Sequence, residues 1–189
     1  VIKAKSLLSG VSVDLPAPYG KAPETDRPLQ FTMSLFERSS LIHIAYDKFA
    51  EALFELDPQQ NSKLANANIA LGSEAKLAAE PLFLLSGNLP SLDIEPWKKV
   101  QQRYLDYNAQ VAAMLLKPKA ENDESAKELA VNDTRLVAGL PFRADVLLAH
   151  HQVGPLSLEN VQVRAERLEN GWSIGFTNPL AVGNIRLPD

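Results

Sequence analysis

Residues 161–177 read VQVRAERLENGWSIGFT, and this stretch decides the class of fold. Apolar and polar side chains alternate on both sides of Asn170-Gly171, a dipeptide that favours the tight turn of a β-hairpin. Successive side chains of a strand point to opposite faces, so the bulky apolar members share one face. With Asn170 and Gly171 as the two loop residues, Ala165 is expected to pair with Phe176. The stretch therefore predicts a hairpin with one apolar face.

The same alternation recurs along much of the chain, between turn signals rich in Gly, Pro, Ser and Asp. It predicts strands over residues 2–8, 11–15, 29–36, 41–46, 49–56, 64–71, 75–86, 129–137, 142–150 and 181–187. A helix over residues 47–56 is an alternative, because Ala, Glu and Leu favour helices, but we prefer the strand. Pro81 indicates an edge strand or a bulge. This pattern is typical of a mainly β protein.

One segment has a different period. Asp93 is a suitable N-cap, and Glu95 lies in the first turn, where the helix dipole favours an anion. After Pro96 the apolar residues recur in steps of three and four, as on one face of a helix. These residues are Trp97, Val100, Tyr104, Tyr107, Val111 and Met114. We predict an amphipathic helix over about 94–115 that plugs or flanks the concave side of the sheet, with an interfacial membrane helix as the alternative.

Residues 117–128 are charged and contain no apolar side chain larger than Ala, which predicts a linker. The chain thus divides into three parts: residues 1–116 form a curved sheet segment ending in the helix, residues 117–128 the linker, and residues 129–189 further strands of the same sheet.

The composition excludes several classes of function. The chain of 189 residues has 19 basic and 23 acidic residues, without the basic excess of a nucleic-acid-binding protein. It has no cysteine, so it has no disulfide and no thiol chemistry. No apolar run is long enough to span a bilayer. Because the chain opens on Val1 without Met, we expect it to be a piece of a longer protein.

The titratable residues form no recognisable catalytic or metal-binding motif. Glu51 and Glu55 alternate with apolar residues, as on a solvated strand face, and His43 lies on the polar side of its strand. His150 and His151 are adjacent, so in a strand they point to opposite faces and cannot easily bind one ion. We therefore predict no catalytic residue, no metal, no cofactor and no enzymatic activity.

Three segments of the chain resemble those of a known family. Residues 10–21 read GVSVDLPAPYGK, residues 92–97 read LDIEPW, and GW at residues 171–172 is followed by GNIRLP at residues 183–188. They are similar to segments of the YhdP family, large AsmA-like proteins of Gram-negative envelopes. The first segment is the most specific of the three.

This resemblance implies a strongly curved, mostly antiparallel β-sheet that encloses an apolar groove. It also implies a full-length protein that is anchored in the inner membrane and extends through the periplasm. There it would move phospholipids between inner and outer membranes, with acyl chains in the groove and headgroups in water. The expected partners are phospholipid acyl chains and the rest of the full-length chain at both ends. Membrane contact would occur through regions outside this stretch.

The predicted groove lining consists of large apolar residues on the alternating segments. They are Val11, Val13, Phe31, Met33, Leu35, Ile42, Ile44, Phe54, Ile69, Leu71, Phe83, Val161, Val163, Trp172, Ile174 and Phe176. The alternative function is a scaffolding module, a closed β-sandwich that makes protein contacts in the cell envelope. A carbohydrate-active enzyme ranks lower, because a credible carboxylate pair is missing.

Overall fold

The computed structural model describes residues 1–36, 39–115, 139–153 and 156–188. It divides into two compact units, Val1–Leu92 with Leu140–Asp189, which holds the strands, and Asp93–Gly139, which holds the helix. The strands are β1 Ile2–Ser6, β2 Leu29–Leu35, β3 Ser40–Tyr46, β4 Ala50–Asp57, β5 Lys63–Leu71, β6 Phe83–Leu89, β7 Phe142–Val153, β8 Leu156–Leu168, β9 Gly171–Thr177 and β10 Val182–Leu187. The helix α1 is Ile94–Leu115.

The ten strands form one open sheet in chain order, from β1 to β10. Seven of the nine neighbouring pairs are antiparallel, and β6 is parallel to both β5 and β7. The mainly β, mostly antiparallel fold with one helix is therefore confirmed, and the arrangement is consistent with a curved sheet. The described strands make a single layer, so they do not form the closed sandwich that was the alternative.

The hairpin over residues 161–177 is present, but its predicted register was wrong. Leu168 pairs with Gly171, so the two loop residues are Glu169 and Asn170, and Ala165 pairs with Ile174 instead of Phe176. Gly171 has a φ of 134°, and a Cβ at this position would lie 2.1 Å from the backbone oxygen of Leu187 on β10. The pairing is shifted by two residues. Such a shift leaves every side chain on its predicted face, because the strand period is two.

Residues 72–82 connect β5 to the parallel strand β6 across the polar face of the sheet. The backbone N–H of Ala75 donates to Glu51 Oε2 at 2.9 Å, and Asn66 Nδ2 donates to the backbone oxygen of Ala78 at 2.8 Å. Glu51 and Asn66 both point to the polar face. The prediction of a strand over 75–86 was wrong at its start: β6 begins at Phe83, after Pro81, and lies inside the sheet.

Residues 11–15 do not form the predicted strand. Between β1 and β2 the chain folds back on itself, and Val13 makes an isolated bridge with Lys21. The Lys21 side chain is buried, and its Nζ donates to the backbone oxygens of Leu8 (2.8 Å) and Val11. A buried ammonium group needs such acceptors, because desolvation without them is costly.

The helix begins and ends as predicted, and Asp93 Oδ1 accepts a hydrogen bond from the Glu95 backbone N–H at 3.1 Å. Its predicted stripe is unevenly covered: Trp97 and Val100 are half-buried, whereas Tyr104 and Tyr107 are 65% and 64% exposed. Packing of this stripe on the sheet stays a prediction. The linker at 117–128 and the strand at 129–137 lie outside the described residues.

Candidate functional site

The apolar side chains of the sheet form rows that run across the strands. In the central row, paired residues follow one another from β1 to β10 without interruption, and every one is apolar. The central row consists of Ala4, Phe31, Ile44, Ala52, Ile69, Leu85, Ala144, Ala165, Ile174 and Ile185. With about 4.8 Å between strands, its nine steps span about 43 Å along the sheet.

Two further rows flank the central row on the same face. The aromatic row, on one side, consists of Ile2, Met33, Ile42, Phe54, Ala67, Phe83, Phe142, Arg167, Trp172 and Leu187. Phe142 on β7 and Arg167 on β8 are placed opposite each other in this row, because they adjoin the paired residues Arg143 and Glu166. The glycine row, on the other side, consists of Ser6, Leu29, Tyr46, Ala50, Leu71, Gly87, Val146, Val163, Phe176 and Gly183. The three rows together are the apolar face.

Much of the apolar face is only half-buried. Phe31, Ile44, Ile69 and Ile174 of the central row all have intermediate exposure, and Ile185 on the last strand is 50% exposed. On this side of the sheet, Ala67 of the aromatic row is fully buried, and Leu89, Val146, Leu148 and Val161 are buried at one end of β6 to β8. The apolar face is therefore a long strip of partly accessible hydrophobic surface, and strips of this extent on proteins usually mark an interaction site.

The opposite face, called the polar face, carries most of the charged and polar side chains of the strands, together with apolar ones such as Leu53 and Leu84. Arg143 and Glu166 are paired at 2.8 Å, and Arg164 lies 3.3 Å from Asp145. On β3 and β4, His43 Nε2 lies 2.5 Å from Glu51 Oε1. These contacts keep the charged groups in water or paired, away from the apolar face.

A comparison with known protein families matches residues 1–189 to the family described as YhdP protein. The chain belongs to the YhdP family. No curated protein and no solved structure matches it. The YhdP family is a lipid-transport family that is not known to contain enzymes.

Fourteen of the sixteen predicted lining residues of this YhdP-family chain point to the side of the sheet that carries the three rows. Twelve belong to the three rows, and the other two flank them: Leu35 lies beyond the aromatic row, and Val161 lies beyond the glycine row. Val11 and Val13 do not belong to any strand of the sheet. They lie in the fold-back between β1 and β2, because Lys21 pairs with Val13 there. The role of these residues toward a lipid stays a prediction.

The segment that resembles the YhdP family most specifically, residues 10–21, packs at one rim of the sheet. Arg27 Nη1 donates to the backbone oxygens of Pro18 and Tyr19, both at 3.0 Å, and its guanidinium lies 4.4 Å from the centre of the Phe49 ring. Tyr46 Oη also donates to the Tyr19 oxygen, at 2.9 Å. Tyr19 is buried, and burial raises the pKa of its hydroxyl. This YhdP motif therefore has a structural role, which the sequence did not reveal.

Sequence reasoning missed several members of the apolar face. Leu85, Phe142 and the small residue Ala144 complete the rows, but the sheet order is needed to place them beside the predicted residues. Arg167 was also missed. It pairs with Trp172, and its Cζ lies 5.4 Å from the centre of the Trp172 ring. The alternation around residues 161–177 was the available signal, since Arg167 is in phase with Val163 and Ala165.

The histidines form no metal centre in the part of the chain that the structure describes, where no cluster of three metal-binding side chains occurs. His150 and His151 both belong to β7, and His150 Nε2 lies 3.2 Å from Ser157 Oγ. Among the described helical residues, none forms a helix that is long and apolar enough to cross a membrane.

Proposed function

We propose that the apolar face is a segment of a hydrophobic conduit for phospholipid acyl chains between the inner and outer membranes. Membership of the YhdP family supports lipid transport as the class of function. The observation that carries the proposal is the central row, in which ten strands each contribute an apolar residue and no polar group interrupts them.

Energetics explain why such a row is needed. Each methylene removed from water contributes about 0.8 kcal/mol, so an unprotected sixteen-carbon chain would face a cost on the order of ten kcal/mol. The hydrocarbon core of a bilayer is about 30 Å thick, or about 15 Å for each leaflet. The thickness of one leaflet approximates the length of an acyl chain, so a row of about 43 Å is longer than the chain. The front of an acyl chain can therefore contact the next strands while its tail still contacts the previous ones.

The shape of the face suits movement better than capture. Apart from Ser6, Arg167 and two glycines, its residues are aliphatic or aromatic. They lie on one open sheet, and the connection over residues 72–82 crosses the other face. A deep pocket with converging polar groups would hold one lipid, whereas a uniform strip gives similar energies at each step. We place this activity in the periplasm, with inner-membrane anchoring through regions outside the chain.

Native mass spectrometry of the purified chain tests the proposal. We expect phospholipid to copurify, and we expect an environment-sensitive dye to bind and to be displaced by added phospholipid. A lipid-free monomer that binds neither dye nor added phospholipid would contradict the conduit and would favour a scaffolding role.

A further inference from the structure

The apolar face has the width of two acyl chains. Neighbouring rows are two residues apart along each strand, which is about 6.7 Å, so the aromatic and glycine rows lie about 13 Å apart. Apolar groups in contact approach within about 4.0 to 4.5 Å between heavy atoms. Two extended acyl chains, one on each side of the central row, can therefore lie side by side without overlap. We call the strip between the central and aromatic rows the aromatic lane, and the strip between the central and glycine rows the glycine lane.

Both lanes are continuous and accessible over the same strands. From β2 to β7, none of the three rows contains a charged residue. The five steps between these strands span about 24 Å, which exceeds the length of an acyl chain, about 15 Å. On β2, β3 and β4, every member of the three rows has intermediate exposure. A ligand can therefore reach the aromatic lane and the glycine lane equally well.

The accessible width ends at the two outer rows on β3. On one side, Tyr46 of the glycine row meets the fold-back between β1 and β2, where its hydroxyl donates to the backbone oxygen of the buried Tyr19 at 2.9 Å. On the other side, the next residue beyond Ile42 of the aromatic row is Ser40, which is polar and buried. The face at this strand thus offers two lanes and no third.

We propose that the apolar face binds both acyl chains of one lipid at the same time, one in each lane, and that the outer rows thereby favour two-chain over one-chain lipids. This inference rests on the proposed conduit and specifies its substrate. A single acyl chain covers the central row and one outer row, so the other lane stays in contact with water. A second chain of the same lipid covers that lane as an intramolecular event, because the first chain already holds the lipid in place.

The test compares two lipids in the purified chain: phosphatidylethanolamine with two sixteen-carbon chains and lysophosphatidylethanolamine with one. Neither headgroup has a net charge, which limits its electrostatic interaction with an introduced carboxylate. In saturated wild-type protein, native mass spectrometry should find about two one-chain lipids for each two-chain lipid. A ratio of one would overturn the proposal without the use of any variant.

Phe54→Asp closes the aromatic lane on β4. It leaves β1–β3 on one side and β5–β7 on the other, before the charged Arg167 on β8, and each stretch spans only about 10 Å. The carboxylate lies about 10 Å from the middle of the glycine lane, which stays open. Retention of the two-chain lipid should fall at least about tenfold, because its second chain must desolvate the carboxylate, whereas the one-chain lipid should fall by about half.

Ile42→Asp is a second variant in the same row and should give the same pattern, while Thr32→Asp on the polar face should change neither lipid. If Phe54→Asp lowers both lipids equally, or neither, the lane assignment is overturned but the conduit stands. Retention of neither lipid by the wild type overturns both proposals. Thermal unfolding of each variant verifies that the sheet is intact, and retention is scored on folded variants only.

Discussion

A charge in the middle of the central row should stop lipid binding without unfolding the sheet. Ile44 lies on β3 between Phe31 and Ala52, and neither neighbour in its row is charged. In Ile44→Asp, an acyl chain crossing this position must desolvate a carboxylate. Desolvation of an ion in a protein costs several kcal/mol, and because Ile44 is half-exposed we take about 3 kcal/mol. That cost corresponds to a decrease on the order of a hundredfold in lipid retention.

Thr32→Asp is the matched control for this variant. Thr32 follows Phe31 on β2 but points to the polar face, where it pairs with Lys3 and His43. The new carboxylate there stays in water beside a cation, so retention should remain as in the wild type. The assay is retained phospholipid in the purified chain, followed by lipid passage in the longer protein that we expect to contain it. Phe176→Asp should behave like Ile44→Asp in the second assay, and Lys99→Asp should not.

The stability of each variant is measured in parallel by urea unfolding. Loss of a half-buried Ile side chain costs about 1 kcal/mol, so Ile44→Asp should remain folded. Folded Ile44→Asp protein that retains and passes lipid as well as Thr32→Asp would refute the assignment of the central row.

Three further predictions concern the sheet itself. Gly87 has a φ of 138°, and a Cβ there would lie 2.0 Å from a backbone oxygen of β5, so Gly87→Ala should lower the free energy of unfolding by about 3 kcal/mol. Gly175→Ala is the control, because a Cβ there would have its nearest neighbour 3.7 Å away, and it should lower the free energy of unfolding by less than about 1 kcal/mol. Equal losses of stability for the two glycine variants in chemical denaturation would contradict the strain argument. Glu51→Ala removes the acceptor of the Ala75 N–H, so it should speed hydrogen exchange of that amide and lower the free energy of unfolding by about 1 to 2 kcal/mol. Unchanged exchange would show that this contact does not hold the connection over residues 72–82 on the sheet. Burial raises the pKa of Tyr19 above its ordinary value of 10.0, so the unfolded chain loses this proton first and stability falls as pH rises past about 10. Tyr19→Phe should make that decline shallower in unfolding curves recorded at about pH 9 and about pH 11, and an identical decline would argue against it.

The faces of the strands were predictable because their period is local. Residues 161–177 were assigned the wrong loop and a register two residues out, yet Val163, Ile174 and Phe176 still came out on one face. Helix α1 was predictable for the same reason: its cap at Asp93 and its three-to-four residue spacing are properties of neighbouring residues.

Positions that depend on distant pairing were not predictable. The parallel strand β6 requires the connection over residues 72–82, and nothing local shows that this connection crosses the polar face through Glu51 and Asn66. Val11 and Val13 alternate like strand residues, but the buried Lys21 ammonium group binds backbone oxygens there and folds the segment back.

By itself, the sequence determined that this chain is mainly β, that its strands each have one apolar side, and that residues 10–21 resemble the YhdP family. Alternation, turn residues and short motifs are encoded within a few positions, so they can be read without a fold. Only the tertiary structure decided that ten strands lie side by side in chain order, which joins separate apolar sides into one continuous row. It alone placed Phe142 against Trp172, because β7 and β9 are separated by β8 and their proximity depends on strand pairing that is not local.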